Sequence, residues 1–295
     1  MNEFKGYHPA VNFIYFVAVI GFSMVFMHPV CLGISLACGF TYSVMLKGAH
    51  TAKTSLLYML PLMAATALLN PAFNHAGVTV LAYLPSGNPL TLESIIYGLC
   101  AAVMLVSVIC WFSCYNHIMT SDKFIYLFGR IIPSLSLILS MTLRFVPRFA
   151  QQLKTVTMAQ KCIGRDVSQG SFIRRGKNAL SVLSVMTTWA LESSIDTADS
   201  MKARGYGLPG RSAFSIFSFE KRDGILLSLI CALCVYIIAG GITGRMYFAC
   251  FPAIEYSKNS FYGLSVFGAY AILCILPVII EIREVIKWNS LKQKL

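Results

Sequence analysis

The sequence predicts an all-α, polytopic integral membrane protein of about six transmembrane helices, with further long helices in a basic central block. Three observations carry this. Hydrophobic residues make up 57% of the 295 positions and charged residues only 12%, at a mean hydropathy of +0.68, whereas a soluble domain carries about a quarter charged residues. The apolar residues gather into runs that approach the ~20 residues a helix needs to cross the hydrocarbon. Finally, 15 of the 24 Lys and Arg fall between Lys123 and Arg222.

In chain order the candidate spans are residues 11–27, 29–46, 56–73, 95–115, 225–244 and 262–281. Only Met27-His28-Pro29 separates the first two, which fits a tight hairpin better than one broken helix. Lys5 precedes the first run, but no small-residue cleavage site follows before the second, so a cleaved signal peptide is not expected. With this set of spans, every Lys and Arg except Arg245 and Lys258 falls on one side of the membrane. The positive-inside tendency then predicts cytoplasmic termini and a cytoplasmic central block. The net charge of +12 is therefore a topology signal, helped by anionic lipid, and does not point to nucleic acid. The chain divides into N-terminal spans (1–119), a central region (120–222), and C-terminal spans with a basic tail (223–295).

The ten cysteines do not read as a metal or disulfide set. Cys100, Cys110, Cys114, Cys231, Cys234 and Cys274 sit in apolar runs, where thiols behave as small hydrophobes, and no second pair follows Cys231-Ala-Leu-Cys234. His8, His28, His50, His75 and His117 are scattered near span ends as polar caps. Gly240 and Gly244 form a GxxxG pair suited to close helix approach. No metal or organic cofactor is expected.

The central block predicts several helices, none a comfortable span. Ile131–Leu143 is apolar but covers only about 20 Å at 1.5 Å per residue, between Arg130 and Arg144. A helix along the membrane face, bent at Pro133 and Pro147, is expected. From Arg144 to about Ile163 the pattern is amphipathic, with Phe145, Phe149, Leu153 and Val156 on one stripe. A second helix is expected from near Asn178 to Ala203, ending at Gly205 as the first ends at Gly164.

Three segments carry a family resemblance: Leu143-Arg144-Phe145-Val146-Pro147, Ala159-Gln160-Lys161-Cys162-Ile163-Gly164-Arg165-Asp166, and Ala198-Asp199-Ser200-Met201-Lys202-Ala203-Arg204-Gly205-Tyr206-Gly207. In content, order and spacing they resemble the transmembrane T component of energy-coupling factor transporters, over about 65 residues. The resemblance implies two cytoplasmic coupling helices, each ending in Ala-Arg-Gly and docking on one of two ABC-type ATPase subunits. The resemblance implies, too, a separate small membrane protein that captures the vitamin or metal ion. It further implies a non-catalytic scaffold of the bacterial or archaeal cytoplasmic membrane that transmits ATP-driven motion. The second motif is intact as Ala203, Arg204 and Gly205. At the first, Cys162 and Ile163 stand where alanine and arginine are expected, only Gly164 matches, Arg165 is one place late, and Asp166 fits the acidic residue that follows. Docking there depends on a shifted Arg165 or on burial of Ile163. Phe145, Phe149 and Leu153 are candidate contacts to the substrate-binding subunit, although packing between this chain's own helices explains them equally well.

A competing reading is a membrane-embedded, Mg-dependent prenyltransferase-like enzyme, because Glu192, Asp196 and Asp199 fall on one helical stripe. Such chemistry needs two facing acidic clusters, and the remaining acids, such as Asp122, Asp166 and Asp223, are isolated. Lys202, three residues beyond Asp199, favours an ordinary paired surface. No GxxxxGK[ST] string is present, so any ATP binds to a partner. The spans hold almost no charges, which argues against a permease with its own polar path.

Overall fold

A computed structural model describes residues 3–83, 89–129, 132–208, 217–252, 254–256 and 260–292. Arg130, Arg211, Lys258 and Lys294, counted among the basic residues, and Ile131, which opens the apolar run 131–143, lie outside them. Two compact units result: residues 1–124 with 217–295, and residues 125–216.

The first unit begins with a short helix α1 (Glu3–Gly6), followed by α2 (Pro9–Val25), α3 (Pro29–Lys47) and α4 (Ala49–Phe73). A two-stranded antiparallel pair, β1 (Val80–Tyr83) and β2 (Pro89–Thr91), joins α4 to α5 (Leu92–Ile118). The division between the units falls within the helix α6 (Ser121–Gly129), after Phe124. The chain returns as α9 (Lys221–Ile242), a second small strand pair of β3 (Phe248–Ala249) and β4 (Glu255–Tyr256), and α10 (Phe261–Lys292), while α7 (Pro133–Cys162) and α8 (Phe172–Ala203) form the second unit. Among the described residues, α3, α5, α9 and α10 are long and apolar enough to cross a membrane, and α2 and the 57–73 stretch of α4 are shorter apolar helices. The fold is an all-α, polytopic membrane protein.

The segment Phe26-Met27-His28 separates α2 from α3, and Ser23 and Ser35 hydrogen-bond across the pair at 2.8 Å, so the two runs are separate antiparallel helices. His8 and His28 start them in the same way. Each is followed by a proline at the first helical position, and each Nδ1 accepts the N–H two residues on, at 3.3 Å. The proline needs no partner for its missing N–H, and the imidazole satisfies one orphan donor.

The core of this unit centres on Trp111 of α5, fully buried with Phe4, Tyr15, Phe16 and Tyr42. A hydroxyl chain crosses it. Ser23 donates to the Val19 carbonyl at 2.7 Å. Each hydroxyl has one hydrogen, so Ser35 donates to Ser23, Ser107 donates to Ser35 at 2.6 Å, and Ser35 also accepts Trp111 Nε1 at 3.0 Å. Tyr270 of α10 completes the set on Ser23 at 3.3 Å. Four helices are thus tied by polar groups that would be costly to leave unpaired in hydrocarbon.

Three expectations are corrected. Pro133 opens α7 rather than bending it, because a proline at the first helical position loses no intrahelical bond; Pro147 does lie inside the helix. The helix α8 starts at Phe172, six residues before Asn178, with Ser171 at its N-cap position; its polar first turns hide the start from an apolar-period reading. Gly240 and Gly244 are not a packing pair. A Cβ on Gly240 would lie 2.6 Å from Val266 of α10, but Gly244 (φ 70°) ends α9 with open space around it.

Candidate functional site

The second unit is a pair of long helices, α7 and α8, joined by residues 163–171. Its small core is Val156, Val182 and Met186, with Val167 and Trp189 packed against it. Of the predicted stripe, Val156 is buried and the Phe149 ring meets Trp189 edge-on at 5.5 Å. The Arg148 guanidinium lies 5.8 Å from the same indole. Leu153 is 45% exposed, and Phe145 faces a groove between the helices. That groove, about 790 Å3, also takes in Arg144, Arg148, Asp196 and Arg204.

Both helices end in the same turn. At the end of α7, Gly164 (φ 77°) donates its N–H to the Lys161 carbonyl at 3.0 Å, and Arg165 donates to Gln160 at 2.9 Å. At the end of α8, Gly205 (φ 79°) donates to Lys202 at 2.9 Å, and Tyr206 to Met201 at 3.0 Å. This pair of bonds is the Schellman stop, which places a left-handed residue after the cap and so favours glycine. The cap residues match as well: Ile163 at φ −94°, ψ 19° and Arg204 at φ −85°, ψ 10°. Cys162 and Ala203 are therefore equivalent, as are Ile163 and Arg204, Gly164 and Gly205, and Arg165 and Tyr206. Of these eight residues, all but the half-buried Gly205 are exposed.

The supports of the two tips differ. Asp166 accepts Ser168 N and Oγ, both at 2.8 Å, and lies 3.4 Å from Lys161 Nζ. The Ser168 backbone bond first, then its hydroxyl and Lys161, hold the Asp166 carboxyl below its ordinary range. From the first turns of α8, Arg175 Nε donates to the Val167 carbonyl at 3.0 Å and Asn178 Nδ2 to the Asp166 carbonyl at 2.8 Å. The first tip is thus clamped by the helix that follows it. The second tip has the i, i+3 pair Asp199–Lys202 at 3.8 Å, an exposed contact of the kind that contributes little.

Glu192, Asp196 and Asp199 are all exposed on α8. Among the described residues, no three His, Cys, Asp or Glu side chains converge as a metal-ligand group. The ten cysteines are free thiols, most of them buried. Sequence reasoning missed the serine chain and the buried charges Lys123, Asp223 and Glu281; an isolated hydroxyl or charge at a span end carries no periodic signal.

No family model matches the chain, but curated relatives do. It is 32% identical to the energy-coupling factor transporter transmembrane protein EcfT of Lactobacillus helveticus (strain DPC 4571) over 98 residues, 33% of this chain and 35% of the relative. The protein of the same name from Brevibacillus brevis is 30% identical over 111 residues, 37% of this chain and 42% of the relative. That of Lactococcus lactis subsp. cremoris is 28% identical over 108 residues, 36% and 41%. The chain thus spans between about a third and two fifths of the length of these relatives.

Proposed function

We propose that this chain, related over about a third of its length to the transmembrane T components of energy-coupling factor transporters, is the scaffold and force transmitter of such an importer. In this reading it does no covalent chemistry. Two ABC-type ATPase subunits engage the tips of α7 and α8, around Cys162, Ile163, Gly164, Arg165 and Asp166 and around Ala203, Arg204 and Gly205. A separate small membrane subunit captures the vitamin or metal ion and packs on apolar surface that includes Phe145, Phe149 and Leu153. Residues 120–222 form the cytoplasmic coupling region, and both chain termini lie on the cytoplasmic side of the bacterial or archaeal membrane.

The observation that supports this most is the repeated helix stop. Two helices of 30 and 32 residues are rigid levers, and each ends in a left-handed glycine turn, open around Gly164 and covered on one side by Leu208 at Gly205. Arg204 offers a planar fork suited to a carboxylate or carbonyl. Losing one partner of such a desolvated interfacial pair costs about 2–5 kcal/mol. The exposed apolar side chains Leu180, Leu183, Leu191 and Ile195 of α8 add surface for a partner subunit.

The test is co-purification of the tagged full chain with its ATPases. The wild type should carry two ATP-binding-cassette subunits and a small membrane protein, and Arg204→Glu should lose the ATPases while inserting normally. A wild-type chain that brings down no ATPase would overturn the reading.

A further inference from the structure

Resting on that reading, we infer that the first tip docks through Ile163, seated in an apolar socket of its ATPase, and that Arg165 does not replace the missing arginine. The ground is positional. Ile163 and Arg204 share the cap conformation, and the residues that follow them make the same two backbone bonds. Their side chains therefore leave the two tips in the same direction relative to the helix that ends there. Arg165 comes after the left-handed glycine, in the place that Tyr206 takes on the second tip, so its fork starts from a different part of the turn.

The surroundings of Ile163 say what the socket looks like. Its side chain is 65% exposed, and a Cβ on the adjacent Gly164 would meet nothing within 4 Å, so a partner surface can close on the turn. The tip and the first turns of α8 carry Lys161, Arg165, Arg174, Arg175 and Lys177 against the single acid Asp166, which is already paired with Lys161. The complement is an apolar floor with an acidic rim. The clamp from Arg175 and Asn178 fixes this loop before docking, so little ordering entropy is lost when Ile163 is buried. The second tip, with Arg204 at the same place, needs a carboxylate or carbonyl instead. One chain thus presents two chemically different plugs on one backbone template.

The experiment measures the affinity of the detergent-solubilised full chain for the ATP-binding-cassette subunits that co-purify with the wild type. Ile163→Ala removes about three buried carbons and should weaken binding roughly 10–100-fold, and Ile163→Val should restore most of it. Ile163→Arg should also weaken binding, because an apolar floor leaves the guanidinium unpaired. Arg165→Ala should change affinity less than about threefold, as a rim charge does. Retained binding in Ile163→Ala together with loss in Arg165→Ala would overturn the inference while leaving the transporter reading intact. Tighter binding by Ile163→Arg would do the same, by revealing a carboxylate in the socket. If the wild type binds no such subunit, both readings fall. Ile163 is exposed, so an unchanged thermal unfolding profile is expected for each variant.

Discussion

The Glu281 carboxylate accepts the backbone N–H groups of Glu3 and Phe4, at 3.3 and 3.4 Å, and so pins the first helix of the chain to the last. Two other buried charges act on the same stretch. Lys123 donates to the Lys5 carbonyl, and Asp223 accepts His8 N at 3.2 Å while closing the capping box of α9 with Glu220. With its amide oriented to satisfy both ends, Asn12 donates to the Phe4 carbonyl at 3.1 Å and accepts from Lys123 at 2.9 Å. Residues 3–8 are thus held by polar groups from three helices that lie far apart in sequence.

Phe4 is the apolar half of that anchor. Its ring is fully buried, edge-on to Tyr15 at 5.2 Å and to Phe16 at 6.2 Å. Phe4→Ala should cost about 3–5 kcal/mol, read as a lower thermal midpoint in detergent, and Phe4→Leu should recover most of the loss. A Phe4→Ala midpoint equal to wild type would mean that the short helix contributes no packing.

Lys123 gives a pH dependence with a definite sign. Burial, assisted by the charge of Lys5, pushes its ammonium down to about 8. Between that value and the ordinary ~10.4 of an unfolded lysine, the unfolded chain binds more protons, so stability rises with pH through this window. The thermal midpoint of the wild type should therefore climb relative to Lys123→Met as pH goes from 7.5 to 9.5. Parallel curves for the two proteins would contradict this.

The serine chain predicts a loss seen through its own tryptophan. Ser35→Ala leaves Trp111 Nε1 without its acceptor and breaks the links from Ser107 and to Ser23. The expected cost is about 1–2 kcal/mol, as for interhelical polar contacts in membranes. A shift in Trp111 emission should accompany it, recorded after Trp189 and Trp288 are replaced by Phe.

Gly240 predicts a paired rescue. A Cβ there would lie 2.6 Å from both Val266 methyls, so Gly240→Ala should push α9 away from α10 and lower stability by about 1–3 kcal/mol. Val266→Ala removes the obstructing methyls, and the double variant should be more stable than the sum of the single effects. Additive losses would place the clash elsewhere.

Much of this was legible in residue order. The six apolar runs became six helices, because a backbone in hydrocarbon must satisfy its own hydrogen bonds and helix formation does so locally. The stops at Gly164 and Gly205 were readable for the same reason: a left-handed cap is a property of four or five consecutive residues. Pro133 and Phe172 were misjudged because helix starts carry weaker patterns than apolar faces. The glycine pair Gly240 and Gly244 separated into a contact and a cap, since spacing alone does not say where a helix ends.

By itself, then, the sequence determined that this chain is an all-α membrane protein with two glycine-stopped helices in a basic block, for hydropathy, period and cap chemistry are short-range. It took three dimensions to show that Ser23, Ser35, Ser107 and Tyr270 tie four helices together, that Lys123, Asp223 and Glu281 close on residues 3–8, and that Ile163, already at the motif's arginine position, shares the cap geometry of Arg204 while Arg165 does not. The first two depend on which distant segments share a neighbourhood. The third depends on backbone angles at a turn, which fix a side chain's direction in a way that counting residues along a motif does not.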